Sequence, residues 1–287
     1  MAIYLRNGER YNYNETQDHQ LRLLYSSLIG RAALKVLTLP FVTHIGGSYM
    51  NSSFSKRKIS SFIKANDIDM SEYQEKDYHS YNDFFTRKIK PEKRIINEES
   101  EVLIAPCDSK VTVYPIHKNL TLKIKESVYH LEDLLQAPSL ASSYDGGTCL
   151  IFRLTVDDYH RYVFIDEGKQ EQEHYIPGLF HTVNPIANDY YPIYKTNSRA
   201  YTILHTKNFG QVIQMEVGAM MVGRIVNHHQ KTFLRGEEKG YFEFGGSTIV
   251  LLFKEGSVTI DEDIVKHSLE HDEVKVQLGE RIGIKQL

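Results

Sequence analysis

Residues 239–253 read KGYFEFGGSTIVLLF, a strand pattern that runs into Gly245, Gly246, Ser247 and Thr248 and then into five strongly apolar residues. The alternation before the glycines and the apolar run after them predict strand on both sides of a tight link, with the serine held where the second strand begins. Two glycines let the backbone adopt conformations closed to other residues, and they bring the Gly246 carbonyl toward the Ser247 hydroxyl with no Cβ in the way. Taken alone, GGST also describes an ordinary β-bulge or tight hairpin, so the segments around it decide its meaning.

Working outward, residues 110–116, 147–155, 199–205 and 211–217 are short β-branched and aromatic runs separated by turn residues. They lie too close together for regular βαβ crossovers, which favours a mixed or antiparallel sheet or barrel. Upstream of Pro91 the period changes. Leu21, Leu24, Leu28, Ala32, Val36 and Leu39 recur at spacings of three and four, predicting a helix that ends near Pro40. Gly46 and Gly47 read as a break, and residues 56–68 resume a basic, helix-compatible pattern with Ile59, Phe62 and Ile63 on one side. The tail, residues 265–287, carries Gly279 and Gly283 among alternating apolar residues and is expected to supply closing strands. The expected fold is therefore α+β. N-terminal amphipathic helices, residues 1–90, sit on a β-rich body, residues 91–287, and no linker separates them, so one domain is expected.

Composition narrows the partners. Lys plus Arg is 34 against 37 for Asp plus Glu, a net charge of −3 that offers no global field for nucleic acid. Only Cys107 and Cys149 are present, with no CxxC pair, so neither a disulfide framework nor a cysteine zinc site is expected, and the cytosol is the default compartment. Met1 to Glu15 does not read as a signal peptide. Arg31, Lys35 and Pro40 interrupt the best apolar run, so a membrane-associated form would lie on the bilayer. Arg22, Arg31, Lys35, Lys56, Arg57 and Lys58 among leucines and isoleucines favour an anionic lipid surface, although packing onto the body accounts for the same apolar faces.

Seven segments then combine: YNDFFTRKIKP at 81–91, APCDSKV at 105–111, DYHRY at 158–162, FHTVNP at 180–185, NSR at 197–199, VGAMMVGRI at 217–225 and GGST at 245–248. In this order they resemble the phosphatidylserine decarboxylase family, most closely its bacterial branch with a GGST cleavage motif. The resemblance implies a proenzyme that cuts itself between Gly246 and Ser247. The serine hydroxyl attacks the Gly246 carbonyl, the resulting ester eliminates, and hydrolysis leaves a pyruvoyl group in place of Ser247. That built-in carbonyl would then condense with the amine of the phosphatidylserine headgroup and act as the electron sink for loss of CO2, so neither metal nor pyridoxal phosphate is expected.

An unassisted hydroxyl is a poor nucleophile, so the cleavage needs a base and an acid to orient it. The resemblance points to His160 as base and Asp108 as acid, with Ser109 standing where relatives usually have glycine. Many relatives carry a second histidine three positions after the first; here Val163 stands there, so either His160 serves both cleavage and decarboxylation or His181 reaches the serine. Arg161, Arg199 and Arg224 are candidates for holding the phosphate and carboxylate, each alternatively structural. Met220, Met221, Val222, Phe242 and Phe244 line a trough for acyl chains or simply belong to the core. The family further implies a homodimer, peripheral on the cytoplasmic face of the cell membrane. Three rivals stay open: a serine hydrolase with Ser247 intact, for which no GxSxG elbow speaks, a lipid-binding module without chemistry, and a pyruvoyl decarboxylase of a soluble amine, against which the amphipathic front end argues.

Overall fold

The computed structural model describes residues 2–11, 21, 23–117, 119–124, 127–184, 187, 190–219, 224–244 and 247–286. Its centre is a ten-stranded sheet. The middle of that sheet is formed by β1 (Ser109–Pro115), β2 (Thr148–Leu154), β4 (Arg199–Thr206), β5 (Gly210–Val217), β8 (Ser247–Phe253) and β9 (Glu273–Val276), in the spatial order β9-β1-β2-β8-β5-β4. These neighbours are all antiparallel, while Ile3–Tyr4 adds one parallel edge pair alongside Glu273 and Val274. The sheet is mixed and does not close into a barrel. All seven residues of β8 are buried, which explains the unbroken apolar run: a strand covered on both faces has no polar alternation.

A second, three-stranded sheet packs β7 (Glu238–Phe242) between β3 (Arg161–Val163) and β6 (Ile225–Asn227). One buried ionic knot ties it to the large sheet. Lys239 Nζ donates to Glu216 Oε1 at 2.9 Å and to Asn227 Oδ1 at 3.1 Å, and the Tyr162 hydroxyl donates to the same Oδ1 at 2.9 Å. Lys239 and Glu216 are both fully buried, so each charge depends on the other.

The front end is helical after its first strand: α1 (Leu28–Leu37), α2 (Pro40–Asn51), a 3-10 turn Ser53–Lys58 and α3 (Ile59–Ala65). Pro40 does close the first helix but also opens the second, because its missing N–H is no loss at a first helical position. Gly46 and Gly47 do not break the chain; they lie inside α2, where a glycine costs only about 1 kcal/mol in helix propensity. The tail departs from expectation in the same way, since Glu262–Leu269 is a helix and only Glu273–Val276 and Arg281–Lys285 are strands. Helix α4 (Tyr81–Phe85) is capped by Ser80, whose hydroxyl accepts from the Asp83 N–H at 3.1 Å, and it buries Tyr81, Phe84 and Phe85.

The ionic knot gives the first test. Lys239→Met strands the Glu216 carboxylate and should lower stability in urea unfolding by about 3–5 kcal/mol, whereas Lys239→Met with Glu216→Leu should recover most of the loss. An equal loss in the double variant would mean the pair is not the joint between the sheets.

Candidate active site

Two chain segments are stitched together at both ends. At one end Ser247 lies directly opposite Leu154 in the β8–β2 ladder. At the other, the Phe242 N–H donates to the His160 carbonyl at 3.0 Å. The segment leaving β2 and the segment entering β8 thus enclose one small region, with Ser247 and His160 on its rim. A third element seals it: the Asn82 side chain on α4 accepts from the Phe244 N–H at 2.8 Å, and the Phe85 ring packs, tilted by 45°, against the His160 ring at 4.3 Å. Gly245 and Gly246, and with them the expected scissile carbonyl, lie outside the described residues, as do Met220, Met221 and Val222.

Ser247 is fully buried, and among the described residues its hydroxyl has no hydrogen-bond partner. His160 is 1% exposed and its Nε2 is likewise buried and unpartnered. Its other nitrogen faces the Asp158 carbonyl at 2.9 Å, and a carbonyl only accepts, so Nδ1 carries the proton and Nε2 presents its lone pair. Burial drives the imidazole pKa down to about 3, with the Arg87 charge acting in the same direction, so the ring is neutral near pH 7. A buried hydroxyl and a buried free ring nitrogen thus stand on two segments that are tied to each other at Ser247–Leu154 and at Phe242–His160.

The carbonyl that fixes this tautomer is held in turn. Asp158 Oδ2 accepts from Lys110 Nζ at 2.6 Å, from the Thr155 N–H at 2.7 Å and from the Thr155 hydroxyl at 2.9 Å. Neither Lys110 nor Asp158 had been singled out, although both stand inside quoted segments, Lys110 in APCDSKV and Asp158 in DYHRY.

Asp108 is placed differently from expectation. Its carboxylate takes a two-pronged contact from Arg94, at 2.8 Å and 2.6 Å, and the Leu278 N–H at 2.8 Å, while the group orienting His160 is a backbone carbonyl. Val163, at the position of the second histidine of relatives, is buried against Tyr73, Tyr159 and Leu278, away from the Phe85 face of His160.

His181 belongs to another cluster. Its ring stacks on Tyr191 at 4.3 Å and its Nδ1 lies 3.4 Å from the Tyr25 hydroxyl; among the described residues it makes no hydrogen bond to Ser247. Asn197 binds its backbone from both sides and reaches the Gly218 carbonyl at 2.8 Å, which gives the NSR segment a structural task.

Of the three arginines, two are committed to the protein. Arg199 lies opposite Val217, and Val217 opposite Thr248, so its side chain shares the face of Thr248 and not that of Ser247. There it donates to the carbonyls of Leu134, Lys195, Asn197 and Asp133. Arg161 grips the Thr86 carbonyl and Glu238 Oε1 and lies over the Tyr241 ring. Arg224 is exposed. Phe242 and Phe244 differ as well: Phe242 is core, whereas Phe244 packs half-buried against Tyr81 and Phe85.

A fully buried serine hydroxyl, with a buried free imidazole on the segment tied to its strand, is an arrangement suited to reaction within the chain. The comparisons agree. Residues 81–284 match the family model described as phosphatidylserine decarboxylase. Phosphatidylserine decarboxylase proenzyme 2 of Clostridium acetobutylicum is 49% identical over 96% of this chain and 95% of its own length. Phosphatidylserine decarboxylase proenzymes of Clostridium botulinum strain Hall and Clostridium novyi are 41% and 39% identical, each over 99% of both chains. The chain belongs to the phosphatidylserine decarboxylase family.

The histidine environment predicts a pH profile. A depressed pKa means that the neutral ring is favoured by folding, so the base stays available as pH falls from 8 to 6, and the associated stability is lost only below the ordinary histidine range. Self-cleavage of freshly refolded precursor, followed by denaturing electrophoresis, should keep a constant rate over that interval. A sigmoidal loss centred near pH 6.5 would contradict the buried, neutral base.

Proposed function

We propose that this chain is a self-cleaving proenzyme that becomes a pyruvoyl-dependent decarboxylase of phosphatidylserine. The observation that carries the reading is the pair of buried, unpartnered atoms, Ser247 Oγ and His160 Nε2, on a loop closed at both ends. Leaving a buried hydroxyl unsatisfied costs about 1–3 kcal/mol, a cost that a purely structural serine has no reason to carry. His160 takes the hydroxyl proton at Nε2 as the oxygen attacks the Gly246 carbonyl, and Nδ1–H remains anchored on the Asp158 carbonyl throughout. Asp108 acts at one remove, by fixing Arg94 and the Leu278 backbone beside the β3 strand. His181 is not needed for the cut.

These residues fit the group they are expected to generate. A carbonyl at position 247 begins a strand buried along its whole length, so bulk water is held off its strand side, and an imidazole adjoins it. When formed, the pyruvoyl group supplies an electron sink for the carbanion left by CO2. His160 remains the proton carrier for that step: the anionic headgroup arriving beside it opposes the effect of burial and raises its affinity for a proton.

The front end supports action at a lipid surface. On α1 only Gly30 and Leu34 are buried, while Leu28 and Ile29 are 78% and 85% exposed, and on α2 Phe41 is 73% exposed. No acidic residue occurs between His19 and Asn66, whereas Arg31, Lys35, Lys56, Arg57 and Lys58 do. Lys56 pairs with Asp77 at 2.7 Å, and exposed apolar side chains among the remaining cations suit an anionic bilayer, with about 1 kcal/mol per charge near the surface. No single helix among the described residues is long and apolar enough to cross a membrane. We place the enzyme peripherally on the cytoplasmic face, as a homodimer of processed protomers.

Intact mass after denaturation tests the cut. The smaller product begins at position 247 and holds 287 − 246 = 41 residues, and Ser247→Ala should leave only the 33.2 kDa chain with no CO2 released from phosphatidylserine. An active enzyme consisting of uncut chain would restore the hydrolase reading. For the membrane, Ile29→Glu with Phe41→Glu should lower co-sedimentation with anionic vesicles at least about tenfold while cleavage proceeds; unchanged partition would remove the front helices from lipid contact.

A further inference from the structure

Two residues beyond α4, Arg87 is 2% exposed. Its Nη2 donates to the Tyr73 hydroxyl at 3.2 Å, and its guanidinium plane is held between the Tyr73 ring at 4.3 Å and the Phe84 ring at 4.8 Å. Among the described residues, Nε and Nη1 have no acceptor at all, and no carboxylate lies within ion-pair distance. This is unlike every other deeply buried cation of the molecule that has been described: Lys110 has Asp158, Arg153 has Glu273, Lys239 has Glu216, and Arg199 has four carbonyls. A buried charge without a counter-ion or acceptor carries a penalty of several kcal/mol, so a structural role alone does not account for it.

The side chain borders a recess of about 190 Å³ whose lining includes four cations, Lys76, Arg87, Lys88 and Arg161, against two carboxylates, Glu75 and Asp83. Lys76 is paired with Asp83, Arg161 is held by Glu238 and Thr86, and Lys88 is exposed to solvent, so Arg87 is the buried cation there with uncommitted donors among the described residues. The Tyr78 hydroxyl, also on this lining, is buried and unpartnered as well. The Nε and Nη1 groups of Arg87 and the Tyr78 hydroxyl therefore leave donors unsatisfied at the lining of one cationic hollow. A guanidinium N–H paired with an O–H suits the oxygens of a tetrahedral phosphate.

We propose that this recess binds a phosphate-class oxyanion through Arg87 and Tyr78, and that in the working enzyme this is the phosphodiester of the substrate headgroup. The placement favours that source. Phe85 of the same segment packs against the His160 ring, Asn82 holds the backbone three residues before Ser247, and Arg161, next in chain to His160, lines the recess. In a phosphoserine headgroup only one methylene separates the phosphate oxygen from the carbon bearing amine and carboxylate, so an anchor here presents the reacting carbon toward the loop that carries Ser247 and His160. A phosphate on Arg87 also offsets the positive charge that helps to keep His160 neutral, which couples headgroup binding to the proton affinity of the imidazole. Arg87 is then a binding residue for the decarboxylation, and in self-cleavage it contributes only its charge, which Arg87→Lys retains. The identification of the source rests on the decarboxylase reading above; the anion site does not.

The test uses the processed wild-type enzyme and Arg87→Lys, with phosphatidylserine in mixed detergent micelles and inorganic phosphate as the soluble probe. Arg87→Lys keeps the charge but loses the Nε and Nη1 donors. It should be cleaved like wild type, raise KM for the lipid about tenfold or more with a smaller change in kcat, and weaken competitive inhibition by inorganic phosphate by a similar factor. If phosphate instead alters wild-type kcat without competing with lipid, and Arg87→Lys loses that response, the site stands and its occupant is free phosphate. Should Arg87→Lys fail to fold, Tyr78→Phe is read in the same assays, with the same shifts expected at severalfold. Phosphate should also raise the wild-type melting temperature above that in chloride of equal ionic strength. A melting temperature indifferent to phosphate, or an Arg87→Lys enzyme within twofold of wild type in both KM and phosphate inhibition, overturns the proposal. A wild type that releases no CO2 from phosphatidylserine yet is stabilised by phosphate through Arg87 would remove the decarboxylase reading and leave the anion site.

Discussion

A protein interior tolerates few polar atoms without partners, and two that lack them among the described residues, Ser247 Oγ and His160 Nε2, stand on segments tied to each other. The constraint is topological before it is chemical. Ser247 is locked into the middle of the large sheet opposite Leu154, and the strand that precedes it is locked by Phe242 onto the His160 carbonyl. The short connection between them has to carry the chain from one sheet to the other, and only glycines stand at its end. The hydroxyl cannot drift to water, and the imidazole cannot turn, because the Asp158 carbonyl holds its other nitrogen.

Charge is distributed around this loop in matched pairs with one exception. Lys110 with Asp158 stiffens the turn below His160, Arg94 with Asp108 fixes the segment beside it, and Lys239 with Glu216 bolts the small sheet to the large one. Each pair is buried, so each contributes more to holding one arrangement than to raising stability overall. Arg87 alone among these buried cations is left with open donors. Paired charges describe a scaffold finished in the precursor, and an unpaired one describes a site completed by something that arrives later.

Much of the architecture was legible because it rests on period. The four strands read at 110–116, 147–155, 199–205 and 211–217 match Ser109–Pro115, Thr148–Leu154, Arg199–Thr206 and Gly210–Val217 to within a residue or two at either end. Gly46 and Gly47 misled because propensity is a weak prior beside a proline placed to start a helix. The long-range pairings were not legible. Nothing local tells that Asp108 turns to Arg94, fourteen residues upstream, or that Arg199 shares a sheet face with Thr248; that face follows only once the registers through Val217 are known. Ser247 and His160 were singled out because each sits in a segment whose order along the chain resembles a family, whereas Arg87, inside another of those segments, shows its character only through the partners it lacks among the described residues.

The account stands most directly on the imidazole. Purified His160→Gln precursor, which keeps the shape of the site but cannot take a proton, should melt within a few degrees of Ser247→Ala precursor. Its self-cleavage, timed by intact mass, should be slower than that of wild type by at least about a hundredfold, the scale of one lost general base. Cleavage at the wild-type rate in a folded His160→Gln chain would contradict the claim that this buried, free nitrogen drives the cut.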